Sequence, residues 1–218
     1  VNRKFGTRAL ASAYMSAKAF VIEQGYADEV DWQENADFEN VTESDLLQEV
    51  AWVVLNSGMR ESVIRKHWGN ISRSFYFWKS ADRIVANRQS CIENAAMYFG
   101  NIRKLNAIVD IAEFVLHNGV DRTKYVIQHD PHRTIAEFPF IGKTTYFHLA
   151  KNLGIQTSKP DRHLVRLAEA HGYDSAESLC QDIAAETGEK VSLVDVVLWR
   201  ICALGCDYSS LQPLRTAG

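Results

Sequence analysis

Apolar residues recur at helical spacing along most of this chain, and no convincing set of alternating apolar and polar positions marks strands. Residues 46–55 are the clearest case: Leu46, Leu47, Val50, Val53, Val54 and Leu55 supply an apolar face,. Thr42 followed by Asp45 reads as a capping box with a short acid that opens this helix, and Asn56-Ser57-Gly58 breaks it,. A second stripe, Leu105, Ile108, Val109, Ala112 and Val115, predicts a helix over 102–118. A third, Val194, Val197, Leu198, Ile201 and Leu204, predicts one over 192–204. Ala-rich propensity predicts a helix over 7–24,. Shorter helices are predicted over 60–68, 81–87, 90–99 and 175–187, with another starting at Asp130-Pro131. The acidic stretch 27–40 has no clear period and reads as a connection. The whole predicts an all-α protein.

The stretch FPFIGKTTYFHLAKNLGIQTSKPDRHLVRL, residues 138–167, carries the most information. Pro139 and Gly142 bracket a tight turn, where Pro fixes φ and Gly offers a position open to positive φ and to close approach by another molecule,. A helix then starts at Thr144 or Thr145 and buries Phe147, Leu149, Ala150 and Leu153, with Gly154 in the place of a C′ glycine,. Pro160, placed in a first helical turn, and Asp161 beside it open the next helix, where an acid is favoured by the dipole,.

This arrangement resembles the helix-hairpin-helix DNA glycosylases, the superfamily of endonuclease III and the adenine-mismatch glycosylases. Their hairpin reads roughly Leu-Pro-Gly-Val-Gly, and some twenty residues later a catalytic Asp opens another helix. Here the hairpin is Phe138-Pro139-Phe140-Ile141-Gly142 and the matching acid is Asp161. The resemblance runs in helix order over about 44–204, with 138–163 its specific part. It implies a two-lobed all-α fold with a cleft between the lobes, into which a target base is flipped. Residues 1–43 are expected to form an N-terminal helix and connection packing on the C-terminal lobe, 44–204 the glycosylase core and 205–218 a C-terminal tail.

Each candidate residue has a chemical reason. Breaking an N-glycosidic bond builds oxocarbenium-like charge on the sugar, which a fixed carboxylate stabilises; Asp161 is the expected catalytic group. Acid–base help to a water from the same group is typically worth about 10²–10⁴-fold. The bland alternative is that Asp161 only caps the helix 162–170. Gly142, Lys143 and Thr144 are the expected phosphate contacts, because exposed backbone N–H groups at a helix start bind anions. Phe140 belongs to the same DNA-binding set but departs from the Gly common in the family. Thr144 stands where bifunctional relatives place a Schiff-base Lys, and Lys143 lies about 100° away around a helix. The resemblance therefore implies a monofunctional enzyme. Asn56, Met59 and Arg60 occupy the place of a loop that probes the duplex. Trp52, Phe75, Tyr76 and Tyr146 are the expected base pocket, where stacking is worth about 1–3 kcal/mol.

Composition narrows the remainder. Residues 1–50 hold four basic and ten acidic side chains (net −6), residues 51–110 nine and four (net +5), and the rest eleven and thirteen (net −2). A basic middle suits a DNA-facing surface despite the overall −3,. Cys91, Cys180, Cys202 and Cys206 form no recognisable framework and read as reduced thiols of an intracellular protein,. They cannot supply the four-Cys iron–sulfur loop of some relatives, and the seven His show no metal spacing, so no metal or cofactor is expected,. No apolar run approaches eighteen residues and no signal peptide is visible, so neither membrane insertion nor secretion is expected,.

The expected function is base excision from double-stranded DNA: a monomeric glycosylase, cytoplasmic and nucleoid-associated if bacterial, removes a damaged, modified or mispaired base with water as nucleophile. The alternatives are a DNA-binding protein that kept the fold without the chemistry, and a helical scaffold for protein partners.

Overall fold

The structure is a computed structural model that describes residues 6–213; residues 1–5 and the last five residues of the expected tail lie outside the described residues. The described chain is helical almost throughout and divides into two compact units, one made of 6–36 with 154–213 and the other of 37–153. The division cuts across the expected 44–204 core, because residues 154–204 build their hydrophobic interior with the N-terminal helices.

In the first unit α1 (Thr7–Val21) packs on α12 (Ala176–Thr187) and α13 (Val191–Leu204). Residues 192–198 of α13 are buried without a break, as a helix surrounded by neighbours must be,. Tyr14, Leu164, Leu179, Ile183, Val197 and Leu198 fill the interior around it. The helix expected over 7–24 ends early. Gly25, at φ +89, makes a π-helical turn over Ile22–Tyr26, a backbone state that costs glycine little,.

The acidic stretch read as a connection is corrected here: Ala27–Asn35 is a helix, α2, packed on α13. Only Val30 and Gln33 are buried, so its apolar face is too narrow to show as a period. Tertiary contacts hold it instead. The Arg200 guanidinium grips Glu29 through both of its oxygens and lies over the Tyr26 ring at 4.1 Å,.

The second unit runs α3 (Glu43–Asn56), α4 (Glu61–Ser74), α5 (Ala81–Ala86), α6 (Arg88–Ala96), α7 (Ile102–Asn118), α8 (Val120–His129), α9 (Pro131–Glu137) and α10 (Lys143–Asn152). The Thr42–Asp45 capping box forms: Asp45 N donates to Thr42 Oγ1 at 3.2 Å and Thr42 N to Asp45 Oδ2 at 3.0 Å. α7 lies against α3, α5, α6 and α8, and its stripe Leu105, Ile108, Val109, Ala112 and Val115 is buried as the spacing predicted. Two differences come from packing. α4 continues to Ser74, past the expected end at 68, because Ile71 and Ser72 turn into the core. α8 had no sequence signal; Gly119 breaks the long helix at φ +75, and Val126 and Ile127 are buried behind it. A two-residue antiparallel pairing of β1 (Cys206–Asp207) with β2 (Gln212–Pro213) is the strand content among the described residues.

Candidate active site and nucleic-acid interface

The hairpin joins α9 to α10 in the second unit. Asp130 caps α9 through Arg133 N at 3.0 Å, and Phe138, fully buried edge-on to Phe114, ends it. Ile141 N then donates to the Phe138 carbonyl at 3.0 Å and Ile141 buries its side chain, which fixes the turn from inside. The left-handed position is not Gly142, as the sequence suggested, but Phe140, at φ +66. Gly142 has φ −98 and is the N-cap residue of α10; its N–H donates to Thr145 Oγ1 at 2.6 Å. The helix begins at Lys143, ahead of the expected start at Thr144 or Thr145.

A left-handed aromatic residue costs about 1–2 kcal/mol over glycine, and its surroundings offset that. The Phe140 ring is covered by the Lys104 ammonium at 5.7 Å and the Arg103 guanidinium at 6.0 Å,. Gly142, Lys143 and Thr144 remain exposed, and the N–H groups of Lys143 and Thr144 stand in the first turn, where a helix has no acceptor to offer them,. Lys143 has no carboxylate partner among the described residues. This turn presents amides and a cation on one surface.

Lys104 is the residue that the sequence reading missed. It follows an unremarkable Asn101 cap and looks like a solvated lysine, yet it is buried on α7. Its ammonium donates to the Leu55 carbonyl at 2.7 Å and to the Ser57 carbonyl, where α3 runs out. Oriented carbonyls at a helix C-terminus favour a cation. Burial pushes this lysine down to about 8. One side chain thus binds the loop after α3 to the hairpin. A second tie is Glu49 of α3, whose carboxylate accepts from Asn152 Nδ2 of α10 at 3.0 Å.

The expected probing loop is only partly free. Gly58, at φ +68, turns it, and Met59 and Arg60 are exposed. Asn56 is folded back: its Nδ2 donates to the Trp52 carbonyl at 2.9 Å, so it does not point outward with them.

The aromatic residues separate into two groups. Phe75 is fully buried and stacked on Trp78 at 4.9 Å, and Tyr146 is buried with its hydroxyl donating to the Ile127 carbonyl at 2.7 Å. Both serve packing, which removes them from the expected pocket. Trp52 and Tyr76 keep partly open faces, Trp52 under Arg65 at 5.5 Å and Tyr76 under Arg83 at 4.1 Å. Trp68, which the sequence did not single out, connects Trp52 to the core: it meets Trp52 edge-on at 5.1 Å and stacks on Trp78 at 5.4 Å.

Asp161 belongs to the other unit. It is the N-cap of α11 (Arg162–Ala170), and Pro160 stands before the helix, not within its first turn. Two carboxylates fasten the approach to it. Glu177 accepts from Ser158 N at 2.7 Å, and the buried Asp195 accepts from Lys159 N at 2.6 Å. Asp161 Oδ1 accepts from His163 N at 2.8 Å and Leu164 N at 3.0 Å. Its Oδ2 has no partner among the described residues, and the side chain is half-buried. The cap therefore occupies one oxygen and orients the other. Capping and catalysis are compatible in this geometry.

The architecture built from these elements is similar to the all-α fold of a solved DNA glycosylase. The 8-oxoguanine DNA glycosylase of Thermotoga maritima matches it with a TM-score of 0.53 at 19% identity, over 88% of this chain and 93% of that one. The Methanocaldococcus jannaschii 8-oxoguanine glycosylase/lyase, solved in complex with a 15mer DNA containing 8-oxoguanine, matches at 17% identity and a TM-score of 0.49, over 87% of this chain and 97% of that one. No protein-family model and no curated protein matches the chain. At these identities the likeness is one of fold. No helix among the described residues is long and apolar enough to cross a membrane, and no group of three or more His, Cys, Asp or Glu among them is placed to hold a metal.

Proposed function

We propose that this chain is a monofunctional DNA glycosylase that hydrolyses the N-glycosidic bond of a damaged, modified or mispaired base in double-stranded DNA. The observation that carries the reading is Asp161: a carboxylate locked by two backbone N–H groups through Oδ1, with no hydrogen-bond partner on Oδ2 among the described residues, on a fold shared with a DNA glycosylase. In that role Oδ2 faces the sugar as positive charge develops and holds the attacking water. Water adds to C1′, the bond to the base breaks, and the base leaves with a proton, so that an abasic site remains. The hairpin amides with Lys143 hold the DNA backbone, Met59 and Arg60 reach the duplex, and Trp52 and Tyr76 supply faces for stacking.

Thr144 supports the monofunctional part of the reading. A hydroxyl cannot form a Schiff base, and Thr144 is exposed at the start of α10. Lys143, its neighbour, leaves the helix in another direction. The protein is proposed to act as a monomer without a metal or organic cofactor.

A panel of duplex oligonucleotides tests this, each carrying one lesion or mismatch, with 8-oxoguanine first because the Thermotoga maritima glycosylase is named for it. Base release, read by alkaline cleavage at the abasic site, is expected for at least one member without strand cleavage before alkali. Borohydride is expected to trap no covalent adduct. Binding without release across the panel would favour the non-catalytic reading, and a trapped adduct would replace water by a lysine nucleophile.

A further inference from the structure

The four thiols are not equivalent. Cys202 lies on the last turn of α13 and Cys206 opens β1, with Gly205 at φ +94 turning the chain between them. Their sulfurs are 3.3 Å apart, and both residues are only 5% exposed. A disulfide needs about 2.05 Å, so an approach of about 1.2 Å would close one,. The proton shared with Cys202 lowers the Cys206 thiol, and Cys202 is pushed up by the same contact and by burial. One sulfur of the pair is therefore favoured as thiolate, and the other stands beside it.

What this pair anchors gives it a consequence. From Cys206 the chain makes a compact turn, held by Asp207 through Ser209 N at 3.0 Å and closed by the β1–β2 pairing. Tyr208 projects from that turn onto α11. Its hydroxyl meets His163 Nδ1 at 2.7 Å, and its carbonyl meets His171 Nε2 at 2.9 Å. His163 supplies one of the two N–H groups that lock Asp161. Cys206, Tyr208, His163 and Asp161 form one chain of contacts inside the first unit.

We propose that Cys202 and Cys206 are a thiol–disulfide couple, a peroxide-sensitive modification site whose closure acts on Asp161 through Tyr208 and His163. The oxidant is a hydroperoxide, small enough to reach sulfurs this buried. The Cys206 thiolate attacks one peroxide oxygen, the O–O bond breaks, and Cys206 becomes a sulfenic acid as water leaves. The Cys202 sulfur then attacks the sulfenic sulfur, loses its proton and expels the hydroxyl as a second water. Two thiols and one peroxide become one disulfide and two waters, and a dithiol reductant reverses the change. The link to Asp161 rests on the proposed glycosylase reading; the couple itself does not.

The experiment uses the full chain, treated natively with hydrogen peroxide and then alkylated in denaturant. Trypsin releases both cysteines in one methionine-free peptide, ICALGCDYSSLQPLR, so neither Cys91 nor Cys180 enters the readout. After peroxide the peptide is expected unalkylated and two hydrogens lighter; after dithiothreitol it carries two alkyl groups again. Cys206→Ser and Cys202→Ser are each expected to abolish the light form. A peptide that keeps both alkyl groups after peroxide, or that goes to sulfinic acid at Cys206 alone, overturns the couple. Excision by oxidised and reduced protein is then compared on one lesion substrate. At least about a threefold difference, absent in Cys202→Ser, is expected if closure moves the lock on Asp161, about 0.65 kcal/mol at this step. Equal rates with the disulfide formed would overturn the link. Absence of excision in both forms would instead count against the glycosylase reading, and the mass shift would still decide the couple.

Discussion

The Lys104 ammonium lies 5.7 Å from the centre of the Phe140 ring while it donates to the carbonyl of Leu55 at 2.7 Å. A buried cation on one helix thereby holds the end of α3 and supports the one left-handed residue of the hairpin. If that tie matters, Lys104→Met keeps the apolar stem and removes the donor, leaving two carbonyls without their partner. Loss of about 2–3 kcal/mol of unfolding free energy is expected by urea denaturation. DNA affinity should fall as well, because the hairpin and the 56–60 loop lose their common support. A variant as stable as the parent would mean that solvent replaces the ammonium at no cost.

Phe140 tests how its strain is offset. Phe140→Gly removes the left-handed penalty together with the cation–π contacts, two effects of about 1 kcal/mol each and of opposite sign. Phe140→Ala keeps the penalty and loses the contacts. Thermal unfolding should therefore place Phe140→Ala below Phe140→Gly, with the glycine variant close to the parent. A glycine variant clearly more stable than the parent would show that the two cations do not offset the strain.

Lys143→Ala is expected to weaken binding to all duplex sequences alike. The plot of log affinity against log salt should lose about 0.9 in slope, one phosphate's worth. Fluorescence anisotropy at several salt concentrations measures this, and an unchanged slope would place the hairpin away from the DNA backbone.

Glu49 makes a pH prediction. Desolvation raises its carboxyl to about 7, against an opposing hydrogen bond from Asn152. Its folded value is above the unfolded one, so the folded state holds the proton longer. Stability from this group is present below about pH 4.5 and is lost as the pH rises towards about 7,. Glu49→Gln should remove that decline, so parent and variant should diverge over this window in denaturant midpoints. Parallel profiles would show that Glu49 is solvated in the folded state.

Asp161→Asn decides the reading of the site. The amide still caps α11 through its oxygen, so folding should change little. Lost are the charge beside the developing sugar cation and the ability to accept a proton from water. Excision in single-turnover kinetics should fall by at least about 10²-fold, with DNA affinity equal or higher. A near-parental rate would leave Asp161 as a helix cap only.

Much of this protein was legible in the order of its residues, for a local reason. The capping box at Thr42, the stripe from Leu105 to Val115, the Asp130 cap and the C′ position of Gly154 depend on neighbours within one helical turn, and such patterns are written in sequence,. Spacing likewise put Asp161 at a helix start. Contacts between residues far apart in the chain decided the rest. α2 exists because Arg200 reaches Glu29, and Lys104 is buried because α3 ends against it. Phe75 and Tyr146 look like Trp52 and Tyr76 in sequence; burial alone separates core from surface among them. A periodicity records which face of a helix is apolar, but which neighbour covers that face, and which polar group ends up alone beneath it, is set only when the helices pack.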